Sequence, residues 1–371
     1  MNNIYRPRIL HSALMTSAPP GIVNQMTWEQ QAADRAGLNW KSVLFCNSSP
    51  VDSPIILKPD AQSTLGVNGR LSWLGLRQAY YAWLSKEQSR WDLILLRHSS
   101  ADPLQISFMR RYGHKTILVH HTKEEEEIRS GKTLKSYVKA LVENYSGVAS
   151  LGLARGVVAV TPEILNYQVS RVKESGVTQI ALTYPNGIFL DDDSTLADLR
   201  GENPELLFVA GYFAPWHGLD RVLSSLGGVS DRFTLHLVGE ISHQDKALIS
   251  GDSRVRLHGF LDKQQIRQLL SQCWIGLSSF ALDRKGMKQA CTLKVREYLS
   301  HGLPVYAGYQ EVFPENFAFY RQGKPDVRSV LAYAHEMRRA NRMAVRNAAA
   351  PLISKEALLV KFYADLCASF K

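Results

Sequence analysis

LLFVAGYFAPWHGLDRVLSSL (residues 206–226) reads as a buried strand, a glycine-bearing turn and a helix opening near Gly218. LKVREYLSHGLPVYAGY (293–309) complements it with a helix that ends at Gly302 and feeds a strand beginning at Pro304. Glycine at the C′ position and proline just beyond it are the stop signals. A helix that starts after a parallel strand presents bare backbone N–H groups and the positive end of its dipole, which suits a diphosphate. Phosphate is therefore the first ligand these two stretches imply.

Outward from them, apolar runs of strand length alternate with helical stretches. ILHSALM (9–15), SVLFC (42–46), DLILLR (92–97), KTILVH (115–120), GVVAV (156–160) and IALTYP (180–185) form one series. LLFVAG (206–211), FTLHLVG (233–239), VRLHGF (255–260), WIGLSSF (274–280) and LPVYAG (303–308) form a second. This alternation is the signature of parallel sheets with crossover helices, so an α/β chain of two doubly wound, Rossmann-like domains is expected. NGIFLDDDSTLADLRGENPE (186–205) is polar, acidic and rich in turn formers, which puts the boundary there. The expected domains are residues 1–188 and 189–352. A terminal helix in 353–371, carried by SKEALLVKFYADLCASF (354–370), is expected to pack back toward the first. Ligands of open α/β sheets bind outside the carboxyl ends of the strands, so a cleft served by both domains is the expected site.

Bulk properties agree. A length of 371 residues suits two cores, and 45% hydrophobic with 21% charged residues is a globular composition. The 44 Lys and Arg against 34 Asp and Glu give +10, which favours an anionic partner. MNNIYRPRIL runs directly into a strand, and no apolar run approaches the roughly 20 residues of a membrane span, so a cytoplasmic protein is expected. Cys46, Cys273, Cys291 and Cys367 form no CxxC pair and indicate neither a zinc site nor a disulfide framework. Glycosylation-type tripeptides at Asn47 and Asn144 carry no weight without a secretory signal.

In DRKGMKQACTLKVREYLSHG (283–302), Thr292 is the expected N-cap, with Leu293, Lys294 and Glu297 in the first turns. Glu297 then lies about 7–8 Å along the axis from Thr292, comparable to the reach from a diphosphate to a ribose. In ILVHHTKEEEEI (117–128), Thr122 is the expected N-cap with Glu125 closing a capping box, and the acidic run Glu124 to Glu127 suits the helix dipole. His121 stands at the strand end just before that cap, beside His120. Gly21, in APPGIVNQM (18–26), permits close backbone approach after the first strand.

The 293–309 segment resembles the KxxEYxxxGxPV helix of glycosyltransferase family 4, whose members have the GT-B fold: two Rossmann-like domains facing each other across a cleft. That family carries two donor-site Glu residues. Glu297 matches the one on the ribose, whereas Gln289 stands where the sugar-facing acid is usual. GYFAPWHGLD (211–220) resembles the family's GRLxxxKG(x)D turn, with Tyr212 in place of Arg and His217 in place of Lys. Arg284, Lys285, Lys288 and Lys294 are then the expected source of positive charge. YPNGI (184–188) resembles the end of the family's first domain, and His121 matches a His that contacts the donor sugar.

The resemblance implies a glycosyltransferase with a UDP- or GDP-linked sugar as donor, retention of the anomeric configuration, and no metal or other cofactor. The diphosphate would meet the backbone at Thr292 and Leu293, with Gly211 and His217 nearby, and the base the chain at Gly259 and Phe260. The acceptor is implied to be a hydroxyl of a glycan or lipid-linked oligosaccharide in bacterial surface polysaccharide or lipopolysaccharide assembly. A peripheral contact with the inner membrane through FMRRYGHK (108–115) is part of that expectation, and no nucleic-acid partner is. The departures at Gln289, Tyr212 and His217 motivate a rival, a non-catalytic relative that binds sugar nucleotide or glycan. DDD (191–193) sits in the linker, SGKT (130–133) lacks the earlier glycine of a P-loop, with Glu126 in its place, and no GxGxxG occurs.

Overall fold

The computed structural model describes residues 6–59, 72–172, 180–190, 197–249 and 251–369; the DDD triplet lies outside them. The chain divides into two units, residues 1–189 with 355–371, and residues 190–354.

In the first unit the strands are β1 (Ile9–Ser17), β2 (Trp40–Ser48), β3 (Ile56–Leu57), β4 (Leu93–Arg97), β5 (Thr116–His120), β6 (Gly156–Ala159) and β7 (Ile180–Thr183). All pair in parallel in the order β3-β2-β1-β4-β5-β6-β7. Helices α1 (Pro20–Arg35), α2 (Trp73–Glu87), α3 (Pro103–Tyr112), α4 (Glu124–Arg129), α5 (Leu134–Leu153) and α6 (Pro162–Ser170) connect them. Both faces of such a sheet are covered, which is why its strands read as unbroken apolar runs. Neighbouring residues take opposite faces: Leu10, Ile94 and Leu118 pack with Tyr80 and Phe108, while Ile9, Leu93 and Ile117 pack on the other side.

The second unit contains β8 (Glu205–Tyr212), β9 (Thr234–Glu240), β10 (Val255–Gly259), β11 (Ile275–Leu277), β12 (Val305–Ala307) and β13 (Tyr320–Gln322), parallel in the order β10-β9-β8-β11-β12-β13. Its helices are α7 (Leu219–Leu223), α8 (His243–Ile249), α9 (Lys263–Gln272), α10 (Leu293–Ser300), α11 (Val327–Met337) and α12 (Arg342–Ile353). The last helix, α13 (Lys355–Ala368), belongs to the first unit, where Leu359, Phe362 and Leu366 enter the core beside Ile9 and Leu93. Tyr363 fixes it by donating to the Pro7 carbonyl at 2.9 Å.

Strand order reverses between β1 and β4 and between β8 and β11, which opens a crevice at the carboxyl end of each sheet. The sequence missed β3 and β13, two- and three-residue strands at sheet edges. It also overran β11: past Leu277 the chain leaves the strand at Ser278 and Ser279. The stop signal at Gly302 holds. Gly302 adopts φ +68°, its N–H reaches the Leu299 carbonyl, and the Leu303 N–H reaches that of Tyr298, a Schellman turn.

Candidate functional site

The crevice of the second unit is built from the segment after β8 and the segment after β11. They are tied by backbone bonds from Phe280 N–H to the His217 carbonyl (2.8 Å) and from Ala281 N–H to the Trp216 carbonyl (3.2 Å). Two bidentate ion pairs reinforce the join, Arg221 with Asp283 and Arg284 with Asp220. Gly218 sits at φ +67° where a Cβ would come within 3.0 Å of Ala281, so both the turn and the close approach call for glycine.

Helix starts in this unit fall into two groups. Ser242, Asp262, Asp326 and Asn341 cap α8, α9, α11 and α12 with their side chains. Neither Gly218 at α7 nor Thr292 at α10 supplies a side-chain cap. Thr292 is the N-cap by position, as expected, but its hydroxyl pairs with the Tyr309 hydroxyl at 3.0 Å, and its N–H goes to Glu311 Oε1 at 3.3 Å. Thr292 N–H is therefore not available to a ligand, and the uncapped donors begin at Leu293. Glu311 is buried and bidentate to the equally buried Arg296, with Nη2 to Oε2 at 2.9 Å; Arg296 also donates to the Thr292 carbonyl at 3.1 Å. This pair anchors the start of α10 to the segment after β12. The sequence reading passed over it, although Arg296 falls three residues from Leu299 on the apolar side of the helix, which was the available signal.

Lys294 is the cation at this helix start. Its ammonium lies 5.5 Å from the centre of the Phe208 ring, and burial lowers its pKa to about 8, with Glu297 opposing the shift. His217 is half-buried. Its Nδ1 accepts from the Ala214 N–H at 2.9 Å, which leaves the ring proton on Nε2 as a donor. Desolvation and then Lys294 push the His217 pKa down to about 4, so the imidazole is neutral at pH 7. Glu297 reaches solvent yet is ringed by protein, and loss of hydration raises its carboxyl pKa against the pull of Lys294 and Lys263. His217, Lys294 and Glu297 thus form one electrostatically linked group around the start of α10.

The other expected residues scatter around it. Arg284 is a correction: its guanidinium is engaged by Asp220 and the Pro215 carbonyl, so it is not a spare charge for a ligand. Lys285 stacks over Trp216 at 4.5 Å. Lys288 and Gln289 lie on the segment before α10, where Gln310 N–H bonds the Lys288 carbonyl and Gln289 donates its amide to Gln310 Oε1 at 3.1 Å. Gly211 is exposed near the end of β8 with open space where a Cβ would stand. Gly259 ends β10 at φ +63°, and Phe260 after it is 74% exposed.

In the first unit, His121 follows β5 and lines a small cavity with His11, Gln25, Glu29, Arg97 and Lys355. The space amounts to about 20 Å³, room for about one water. Glu29 accepts from His11 (2.6 Å), Ser42 (2.9 Å) and Tyr184 (3.0 Å); against the desolvation of burial, His11, Lys355 and the Ser42 hydroxyl hold its pKa at about 2. Nε2 of His11 and Nε2 of His121 are buried there without partners. Desolvation, then Arg97, keeps the His121 pKa well below the ordinary value, so this ring is neutral. The expected cap at Thr122 is corrected: α4 starts after Lys123 with no side-chain cap, and the Thr122 hydroxyl is buried without a partner. Glu124 is not a surface acid either. It is buried against His120 (3.1 Å) and Gln168 (2.7 Å), and His120 stacks on His98, itself bound to Glu143. Gly21 lies in the first turn of α1 and not in a loop; a Cβ there would meet open space.

Two parallel-sheet units with these strand orders define the class: the chain has the GT-B fold. It is similar to the lipopolysaccharide outer core galactosyltransferase WaaB at 11% identity and a TM-score of 0.62, over 97% of this chain and 99% of that one. A glycosyltransferase from Rickettsia africae ESF-5 gives 14% and 0.64 over 98% and 99%. HepE of Anabaena, in complex with UDP and glucose, gives 15% and 0.61 over 97% and 99%. No protein-family model and no curated sequence matches the chain.

Proposed function

We propose that the chain is a family-4-like glycosyltransferase that moves a sugar from a UDP- or GDP-linked donor to a hydroxyl of a glycan or lipid-linked oligosaccharide, with retention of configuration. Bacterial surface polysaccharide or lipopolysaccharide assembly is the setting; WaaB acts on lipopolysaccharide outer core by its name, and the HepE structure holds UDP and glucose. The observation that carries the reading is the uncapped start of α10 with Lys294 and Glu297 beside it. Helix donors and a cation suit a diphosphate, and a carboxylate in the second turn suits a ribose.

In this reading the Leu293 and Lys294 N–H groups, the Lys294 ammonium and the His217 Nε2–H hold the diphosphate, with Lys288 nearby. Glu297 accepts the ribose hydroxyls, the chain at Gly259 and the Phe260 ring meet the base, and Gly211 leaves room for the phosphates. Gln289 serves sugar recognition as a neutral hydrogen-bonding group, and Gly21 leaves the start of α1 open. The bond from the anomeric carbon to the diphosphate oxygen breaks, and the acceptor oxygen bonds that carbon from the same face. Its proton passes to the departing diphosphate. The protein supplies position and charge stabilisation, with Lys294 where other transferases use a metal.

The first unit is the proposed acceptor domain, on the cytoplasmic face of the inner membrane. Among the described residues no helix is long and apolar enough to cross a membrane. The contact expected at 108–115 is corrected, because Phe108 and Met109 are buried in the core. The better surface is α5, which is built inside out. Ala140, Glu143, Ser146 and Gly147 face inward, while Leu134, Tyr137, Val138, Leu141 and Tyr145 are exposed beside Lys132, Lys135 and Lys139. Apolar residues flanked by lysines suit an anionic bilayer surface.

The test is transfer or donor hydrolysis with UDP- and GDP-sugars, with Gln289→Glu in parallel. A gain in turnover in that variant identifies the amide as a weakened acid position. Gln289 is already engaged by Gln310, which favours one rival, a non-catalytic binder. Tight nucleotide binding with no turnover on any sugar would select the rival.

A further inference from the structure

At the opposite end of the same sheet from the proposed nucleotide site, Glu205, His236 and Cys273 bring a carboxylate oxygen, an imidazole nitrogen and a thiol sulfur within 4.8 Å of one another. Glu205 opens β8, His236 is the third residue of β9, and Cys273 is the C-cap residue of α9, two residues before β11. The register places Glu205 opposite Thr234 and Leu207 opposite His236, so Glu205 and His236 share a face of the sheet. Trp274 N–H bonds the Glu205 carbonyl at 2.7 Å, and Arg342 holds the Cys273 carbonyl at 2.9 Å, so these contacts fix the backbone at Cys273 beside the start of β8.

We infer that these three side chains form a zinc site that joins the start of β8, β9 and the end of α9. The donor set is mixed oxygen, nitrogen and sulfur, which suits zinc and not magnesium or calcium. Donor atoms around a tetrahedral zinc stand roughly 3.3–3.8 Å apart, so the cluster needs only a small contraction. His236 is oriented as a ligand should be: Nε2 lies 3.1 Å from Glu205 Oε2, and Nδ1 lies 2.9 Å from Nε2 of His258. With zinc on Nε2, the ring keeps its single proton on Nδ1 and donates it to His258, the outer partner that metal-bound histidines generally have. Cys273 releases one proton to solvent. Thiolate and carboxylate then cancel the charge of the ion, so the neighbouring Arg342 does not oppose it. The C-terminal end of the α9 dipole adds attraction. Cys273 and His236 are buried, whereas the Glu205 side chain is partly open, leaving a path for the ion and a fourth position for water.

Seven steps of β8 separate Glu205 from Tyr212, roughly 23 Å at strand rise, so the zinc takes no part in the proposed transfer. Cysteines scattered through the chain gave no motif because the ligands come from three separate segments.

The test uses the full chain, treated with chelator and titrated with Zn²⁺ by calorimetry and with Co²⁺ by absorption. One equivalent of Zn²⁺ is expected, with a rise in Tm, and Co²⁺ should give a thiolate-to-metal charge-transfer band. Cys273→Ser should abolish the band, and Glu205→Gln, at a partly exposed side chain that leaves the core intact, should weaken Zn²⁺ binding. His258→Ala should weaken it by about 10–100-fold. Absence of saturable binding overturns the proposal, as does unchanged Zn²⁺ affinity in Glu205→Gln together with folded Cys273→Ser. If Cys273→Ser does not fold, Glu205→Gln and the charge-transfer band decide alone.

Discussion

Glu297 and Lys294 carry most of the proposed chemistry, and each makes a separate prediction. Glu297→Ala should weaken nucleoside diphosphate binding by about 1.5–3 kcal/mol, the range for a hydrogen bond to a charged group, with Tm of the free protein little changed. Isothermal titration reads the loss; equal affinity in a folded variant would remove Glu297 from the site. For Lys294 the sign follows from its lowered pKa of about 8. The unfolded chain binds more protons from about pH 8 up to the ordinary lysine value, so the cost of burying this charge is present below pH 8 and fades as pH rises. A diphosphate restores the charged form. Binding near pH 9 should therefore take up a proton, seen as an enthalpy that varies with the buffer's ionisation enthalpy, and affinity should fall as pH rises above 8. Lys294→Gln should lower affinity and abolish the buffer dependence. The places of both on α10 were legible in the sequence through their spacing from Thr292. What could not be read there was that Arg284 is spent on Asp220 and that the Thr292 N–H is spent on Glu311, because both partners are remote in sequence.

Elements show the same division between local and non-local information. The C-terminal stop of α10 was readable because the Gly302 turn is made by residues within one helical turn of each other. The start of α10 was placed correctly at Thr292, but the sequence could not say that the hydroxyl would turn to Tyr309 and leave the helix uncapped. The cap at Thr122 failed for a related reason: Glu124 is drawn inward by His120 and Gln168, so the first turn begins one residue later, after Lys123. The pair that fixes α10, Arg296 with Glu311, is fully buried, so removing one partner strands a charge. Glu311→Gln should destabilise by about 3–5 kcal/mol in urea unfolding and weaken nucleotide binding at the start of α10. A loss below 1 kcal/mol would mean that α10 is positioned by other contacts.

At the scale of the whole molecule, the two series of apolar runs announced two parallel sheets, since strands buried on both faces must be apolar throughout. Strand order was not readable, because pairing joins β1 to β4 and β8 to β11 across long stretches of chain. The apolar residues of α5 are a third case: at helical spacing they look like a core stripe, yet the structure leaves them exposed. If they meet a membrane, the protein should sediment with anionic vesicles in a salt-sensitive way, and Leu141→Asp with Tyr145→Ser should reduce binding without lowering Tm. Vesicle binding that ignores both substitutions would place the contact elsewhere. If the start of α10 seats a nucleoside diphosphate, thermal unfolding with UDP, GDP, ADP and CMP, each with and without Mg²⁺, will show it. One diphosphate should raise the apparent stability without needing metal, by about 2.7 kcal/mol at a hundredfold excess over its Kd, and Glu297→Ala should lose most of that gain. No shift with any of these nucleotides, or an equal shift in Glu297→Ala, would contradict that seating.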